Sequence, residues 1–454
     1  MQSIFISNYH DLTPALPSPQ GKGGAGVRSG TFNLLKICLP ILGNLYRRGM
    51  KRYKPIFYYL ALANFLFFLG NSLYILFPVF LKNMGASESY IGIMNNVDKV
   101  FIIIGSVSIA SIMQGRDRIR MLRLGYIILV VAYASYLMIS SLTWLIPVIR
   151  IIHGIGFSVA MILGTTIVFD IVPLEDAAEA IGVYGITGSL SNAISPFVGE
   201  MLLARGYSHQ LIFFLSVVLV GLSFGITFLL PRGDLHDPDE SEPVTRGSLH
   251  LMADRRFFLM TVAGIIFGGG FGVIVTYLPN FIRATTDFRF SIFFMTYIAV
   301  LVVIRFTFMR IVNRFSRIVL IMAAFAVGAL MNLCLNVLYS MAVLIAVSVM
   351  YGITHGILYP VLNATMVGLV DPGDRGKANA LFTATFNGGM MLFALSLGFL
   401  IDHTGSYLSA FNFCAAAFVA ALPLLWIVRT RYGGLELPAN GRTGNDAAGD
   451  MKNY

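Results

Sequence analysis

Charge is scarce in this chain. Asp, Glu, Lys and Arg make up 12% of 454 residues, against about a quarter in a soluble domain, which excludes a chain that meets mainly water. Cysteine is scarce as well. Cys38, Cys334 and Cys414 are scattered in or beside apolar segments, with no disulfide framework and no metal-ligand spacing. No metal-ligand set, no nucleophile elbow and no histidine-plus-carboxylate cluster stands in a loop or at a helix end. Gly376-Lys377 resembles the end of a phosphate loop but lacks the earlier glycine and the following Ser or Thr. The N-terminal stretch has no basic, apolar and small-residue order of a signal peptide. Neither a metal nor a cofactor is expected.

What is there is apolar. Hydrophobic residues fill 57% of the positions and the mean hydropathy is +0.77, so lipid is the expected solvent. A membrane helix needs roughly 20 apolar residues, and the pattern predicts twelve, over 56–81, 89–113, 120–140, 143–169, 179–203, 210–230, 257–282, 291–312, 318–338, 341–369, 378–401 and 407–428. Residues 1–54 form a Pro- and Gly-rich tail expected to be disordered, or translation starts at Met50. A polar loop, 231–256, separates a half at 55–230 from a half at 257–430, and 431–454 is a second polar tail.

The halves repeat each other. Arg150 to Glu200 holds an arginine and a histidine in an apolar run, a short acidic loop, and a second run stepped with Gly182, Gly185, Gly188 and Gly199. The pattern returns from His355 to Gly389. His153-Gly154-Ile155 matches His355-Gly356-Ile357, and Glu179-Ala180 matches Lys377-Ala378. Such a repeat points to a membrane protein built by duplication.

The net charge of +10 would suggest nucleic acid in a soluble protein; here the cations stand at span ends and read as topology and anionic headgroup contacts. Loops on one face carry twenty cations, from Arg47 through Arg116, Arg118, Arg120 and Arg123 to Arg429 and Arg431; the other face has Lys82, Arg205, Arg283 and Arg289. The bias predicts cytoplasmic termini and a cytoplasmic central loop in a multi-pass protein of the plasma or inner membrane.

Six plus six helices with a duplicated half resemble the major facilitator superfamily of secondary transporters over residues 50–430. Between the second and third spans, the family pattern of glycine, Asp-Arg and basic residues appears as Asp117-Arg118 with Arg120 and Arg123, Met113 replacing the first glycine. The second half has Asn313-Arg314-Phe315-Ser316-Arg317. The fourth span has Arg150 followed by His153-Gly154 where the family pattern has Gln-Gly. The fifth keeps Pro196 and Gly199 of the antiporters' glycine ladder, as Ser195-Pro196-Phe197-Val198-Gly199. The resemblance implies an all-α fold, a helix-packing role for Pro196 and Gly199, and a cytoplasmic gate at Asp117, Arg118, Asn313, Arg314 and Arg317. The drug and metabolite exporters are the branch it favours.

Charge at a span's centre costs about 2.5–3.5 kcal/mol on insertion scales, so embedded polar groups should face a cavity or a partner. Asp98 and Lys99 lie in the second span, one turn after Asn95; Arg150 and His153 share a face that Phe157 continues; Arg305 lies in the inner part of the eighth. Tyr351, His355, Tyr359 and Asn363 recur every four residues as a stripe, and Asn64 and Asn71 share a face of the first span. Each has a plainer reading: Asp98 pairs with Lys99 or Arg150 to hold helices together, the histidines are satisfied packing groups, and the stripe packs between helices. Gly268-Gly269-Gly270 and Gly272 suit close helix contact. Asp170, Glu200 and Asp402, near span ends, read as caps or gates.

The leading expectation is a monomeric secondary transporter moving a small organic solute by rocking its halves, with proton-coupled efflux. Uptake or facilitated diffusion is the alternative within transport; an integral-membrane lipid enzyme and a non-transporting receptor are the alternatives outside it. The first span has no acidic residue, which leaves Asp98 as the candidate proton site, with His153 and His355 as rivals. Lys99, Arg150 and Arg305 outnumber Asp98, which predicts an anionic or zwitterionic solute. The expected partners are that solute, the proton and the bilayer, with no nucleic acid.

Overall fold

Twelve long helices, with no strand among the described residues, run up and down through the chain. The computed structural model describes residues 54–112, 117–172, 177–230, 248–307, 315–371 and 374–431; within these, 106–112, 169, 177–179, 182, 248–249 and 305–307 are described by backbone alone. The first six helices are α1 (Pro55–Asn83), α2 (Glu88–Ile112), α3 (Arg118–Tyr136), α4 (Leu145–Ile171), α5 (Ala177–Ala204) and α6 (His209–Ile226). The last six are α7 (Arg255–Thr285), α8 (Phe290–Thr307), α9 (Arg317–Cys334), α10 (Met341–Gly368), α11 (Arg375–Thr404) and α12 (Tyr407–Arg431). Nine of these spans are long and apolar enough to cross a membrane by length and composition, and Phe290–Ile304 is a shorter apolar helix. Each lies within a few residues of its expected place. The expected tails, most of the central loop, Met113, Asn313 and Arg314 fall outside the described residues.

Local chemistry explains the helix starts. Asp117 accepts from the N–H groups of Ile119 and Arg120 at 2.9 and 3.1 Å and so caps α3. Asp254 caps α7 through Arg256 N–H at 2.7 Å, and the hydrogen bond from the Arg256 side chain holds its carboxyl below the usual range. Ser208 and Ser340 cap α6 and α10. In α1 the chain tightens to a 3-10 turn at Leu73–Leu76. Pro78 has no N–H to give Tyr74 O in α-helical register, and Phe77 N–H bonds that oxygen instead.

The packing carries the duplication. In the first set α1 packs on α5 and α6, α2 on α4, and α3 on α4 and α6; in the second α7 packs on α11 and α12, α8 on α10, and α9 on α10 and α12. Across the two sets α2 meets α11 and α5 meets α8, again matching contacts. In the second set, core aromatics Phe257, Phe325, Phe382 and Phe418 fill the space between α7, α9, α11 and α12.

Glycine lets helices touch where lipid offers no hydrophobic drive between them. A Cβ at Gly268 would lie 2.1 Å from Phe386 O, one at Gly272 2.7 Å from Met390 Cα, and one at Gly389 2.2 Å from Ile265 O, so α7 and α11 meet backbone to backbone. In α4, a Cβ at Gly154 would stand 2.8 Å from Asp98 Cα of α2. Gly388, one residue from Gly389, has open space. Gly268→Ala should therefore lower the thermal stability of the detergent-solubilised protein by about 1–3 kcal/mol through forced backbone shifts. Gly388→Ala should be neutral or slightly stabilising, by up to ~1 kcal/mol from helix propensity. Unfolding curves of the two variants against the parent check the contrast.

Candidate functional site

The embedded charges gather in one place. Arg150 of α4, 2% exposed, points at α2. Its Nε donates to Met94 O at 2.6 Å and its Nη2 to Asn95 O at 3.1 Å. The Nη2 atom also stands 3.0 Å from Asp98 Oδ1, and Lys99 Nζ is 2.8 Å from Asp98 Oδ2. Asp98 is thus counter-ion to both cations, so its two plainer pairings both occur. The guanidinium lies over the Phe77 ring at 4.9 Å, just past the 3-10 turn of α1. Gly154, one turn on, supplies the close approach that brings Arg150 within reach of α2.

His153 completes this cluster. Arg150 Nη1 lies 3.0 Å from His153 Nδ1. A guanidinium only donates, so Nδ1 must accept and the ring proton sits on Nε2. Nε2 then donates to Asn71 Oδ1 at 3.0 Å, with Tyr133 OH at 3.3 Å. The ring is 2% exposed and edged by Tyr74 and Tyr133. Here His153 is a neutral, fully engaged group.

A cavity of about 370 Å³ lies between the two sets of helices. Asn64, Tyr184, Ser189 and Asn192 line it from α1 and α5; Phe271, Tyr297, His355, Tyr359 and Phe386 line it from α7, α8, α10 and α11. One wall therefore offers amides and hydroxyls and the other offers ring faces. His355 Nδ1 is 2.6 Å from Tyr297 OH, and its ring is 4.7 Å from Phe271. Asn64 Nδ2 donates to Thr187 Oγ1 at 2.7 Å and to Tyr184 O at 3.3 Å.

The expected stripe on α10 divides. His355 and Tyr359 line the cavity. Tyr351, 3% exposed, is packed among Phe271, Phe293 and Tyr297, its hydroxyl without a hydrogen-bond partner among the described residues. Asn363 donates to Asn379 Oδ1 of α11 at 2.9 Å. The reason is the helix period: four residues overshoot one turn by about 40°, so three such steps turn the face by about 120°. Asn64 and Asn71 likewise part company, one at the cavity and one in the Arg150 cluster. The cation surplus counted from the sequence does not reach the cavity through the described lining, in which no side chain is Asp, Glu, Lys or Arg. The Arg305 side chain lies outside the described residues.

The described gate residues act within their own half: Asp117 on its own helix, Arg118 and Arg317 on the helix that follows. Asp117 caps α3 and pairs with Arg120 at 3.0 Å, while Arg118 pairs with Asp170 at the end of α4 at 2.5 Å. Arg317 donates to Ala364 O at 3.4 Å. Lys377 and His250 both meet Asp374 at the start of α11, at 3.0 and 3.3 Å. The hydrogen bond from Lys377 holds the Asp374 carboxyl below its usual range.

At the opposite end the two sets grip each other. Asn95 Nδ2 donates to Thr276 Oγ1 of α7 at 3.0 Å, and Asn280 Nδ2 to Pro78 O at 3.4 Å. Tyr277 OH donates to Glu88 O at 3.2 Å, where Gly92 and Gly398 leave room for that hydroxyl. Asp402 accepts from Glu88 and Ser89 N–H, and Glu200 from Phe290 and Ser291 N–H.

Two features escaped the sequence reading. Thr187, Ser191 and Ser195 step along α5 and zip it to α1, with Ser191 and Ser195 donating to Phe65 O and Leu69 O at 2.9 and 2.7 Å; their four-residue spacing was the available signal. Pro196 follows that ladder inside α5, and a Cβ at Gly199 would fall 2.3 Å from Leu76 Cδ1 of α1. Position 352, the repeat counterpart of Arg150, is a glycine whose Cβ would meet Tyr297 O at 2.9 Å. The second half thus packs backbone to backbone where the first uses a guanidinium.

Removing one partner of a buried ion pair costs about 3–5 kcal/mol. Arg150→Met should therefore lower thermal stability by that order, and Arg150→Lys by less, because an ammonium can still face Asp98. Adding Asp98→Asn to Arg150→Met should recover part of the loss. Thermal unfolding of the solubilised single and double variants measures this coupling.

Comparison with known proteins places this architecture. The profile of the Major Facilitator Superfamily matches residues 60–337 and 285–445. A stretch of 89 residues is 33% identical to Autophagy-related protein 22-1 of Aspergillus terreus, and another alignment of 89 residues is 32% identical to Autophagy-related protein 22-2 of Aspergillus oryzae. Each covers 20% of this chain and 15% of the relative, so only a small part of those proteins' length is matched. The nucleoside transporter NupG superposes with a TM-score of 0.69 at 12% identity, covering 83% of this chain and 100% of that one. A bacterial homologue of the human lysosomal transporter Spinster, inward-facing and unoccupied, gives 0.61 at 15% identity, over 84% and 96%. The human organic anion transporter MFSD10 (TETRAN) gives 0.60 at 15% identity, over 82% and 100%. At such identities the structures speak for the fold alone. With the profile matched along most of the chain, this multi-pass membrane protein belongs to the Major Facilitator Superfamily.

Proposed function

We propose that this protein moves a small organic solute through the central cavity by alternating access, and that it exports the solute from the cell in exchange for protons. The observation that carries the reading is the cavity itself, walled by both halves and backed by hydrogen bonds between them at one end only among the described residues. With termini in the cytoplasm, the orientation that the cation bias supports, that sealed end faces outward and the cavity is reached from inside. The membrane is then the plasma or inner membrane.

The lining favours a solute with two kinds of surface. A planar unsaturated ring would lie against Phe271, Tyr359 and Phe386, and hydroxyl or amide groups would meet Asn64, Asn192 and Ser189. The volume suits a molecule of drug or metabolite size. A nucleoside, carried by NupG, has both surfaces; the organic anions carried by the human neighbour are the second solute class to try.

Asp98 is the proton site in this proposal. His153 is engaged on both nitrogens, and His355 belongs to the solute cavity. Asp98 is held between Lys99 and Arg150, and Arg150 grips the carbonyl of Asn95, whose side chain reaches across to α7. Separation of the halves would loosen that grip and let a proton replace a cation at Asp98. Flux into proteoliposomes, with nucleosides and organic anions as solutes and with and without a pH gradient, tests the proposal. Asp98→Asn should lose proton-driven accumulation while keeping downhill exchange. Unchanged pH-driven transport in Asp98→Asn would remove Asp98 from the mechanism.

A further inference from the structure

We propose that Glu200 and Asp402 are a matched pair of gate residues that hold the sealed end shut, each by capping a helix of the opposite half. Asp402, near the end of α11, takes Glu88 N–H on Oδ1 and Ser89 N–H on Oδ2, both at 2.8 Å. Glu200, near the end of α5, takes Phe290 N–H on Oε1 at 3.1 Å and Ser291 N–H on Oε2 at 2.9 Å. These N–H groups open α2 and α8. Such groups have no partner within their own helix, and the positive end of the helix dipole favours an anion there.

The two contacts are the same contact made twice. Helices α5 and α11 are repeat counterparts, as are α8 and α2, so a two-fold operation exchanges one cap for the other. A left-handed glycine then ends each carboxylate's helix, Gly206 at φ +84° and Gly405 at φ +66°. No local motif required this, because the side chains differ in length and stand at different distances from those glycines. What is shared is the tertiary result: a two-oxygen grip on two successive N–H groups.

Asp402 also belongs to a larger knot. Lys82 Nζ lies 2.6 Å from Glu88 Oε1, Tyr407 OH donates to the same carboxylate, and Tyr277 OH reaches Glu88 O. Each cap crosses between halves, so it exists only while this end is closed. Opening must break both and hand two carboxylates and two helix starts back to water. The caps therefore bias the protein toward the state seen here, independently of solute and of Asp98.

The test is conformational and needs no transport substrate. In protein lacking its three cysteines, spin-label pairs at Asn83 with His403 and at Arg205 with Asp287 report the two sides of the sealed end by double electron–electron resonance. Glu200→Gln and Asp402→Asn should each raise the long-distance population about ten-fold, and in both label pairs, because the halves move as bodies. Asp402→Glu, which keeps the charge and can still reach the turn, should restore most of the short-distance population. Glu200→Asp keeps its charge but is shortened by one methylene and should behave like Glu200→Gln; it also serves if the neutral variant does not fold. A change confined to the label pair beside the mutated cap, or no change in either pair, would overturn the proposal.

Discussion

A polar group inside lipid has no water to turn to, and this one constraint organises the protein. It explains why Arg150 spends its donors on two carbonyls of α2 and on His153, and sets its charge beside Asp98. It explains the α5 hydroxyls that fold back onto α1 carbonyls. It also makes contacts between halves costly to break unless the groups released can reach water. Among the described residues the hydrogen bonds between halves stand at one end of the bundle, where opening would hydrate them, while the middle of the bundle between the halves is left for the cavity.

The duplication is structural, but the two halves have been put to different uses. His153-Gly154 and His355-Gly356 occupy matching places, each glycine set against the second helix of its own half. Three residues earlier the first half has Arg150 and the second has Gly352. The arginine draws its histidine into a closed polar cluster; where the second half has glycine, His355 meets Tyr297 OH and turns its ring toward Phe271 and the cavity. Among the described residues one half thereby holds the buried charge cluster and the other supplies most of the aromatic wall.

Much of this could be read from the chain, and the failures have physical causes. Spans were legible because an apolar run of about 20 residues has few other fates, and the repeat because His-Gly-Ile recurs at the same place in each half. The 3-10 turn in α1 follows from Pro78 but was masked by unbroken hydropathy. The α10 stripe was over-extended because a four-residue step drifts around a helix. The charged residues were read as facing a cavity or a partner, and the choice stayed open because a count of embedded cations carries no information about which neighbour each one meets. Glu200 and Asp402 were legible as end residues; that each caps the opposite half is a tertiary fact with no local signature.

The central claim is that the cavity is open to one side of the membrane and sealed from the other by contacts between halves. A single cysteine at Ser189, which lines the cavity on α5, tests it most directly in an otherwise cysteine-free protein. Inside-out and right-side-out vesicles would be treated with a membrane-impermeant thiol reagent. The account predicts modification from the cytoplasmic, cation-rich side and protection from the other. Faster modification from the opposite side would contradict it.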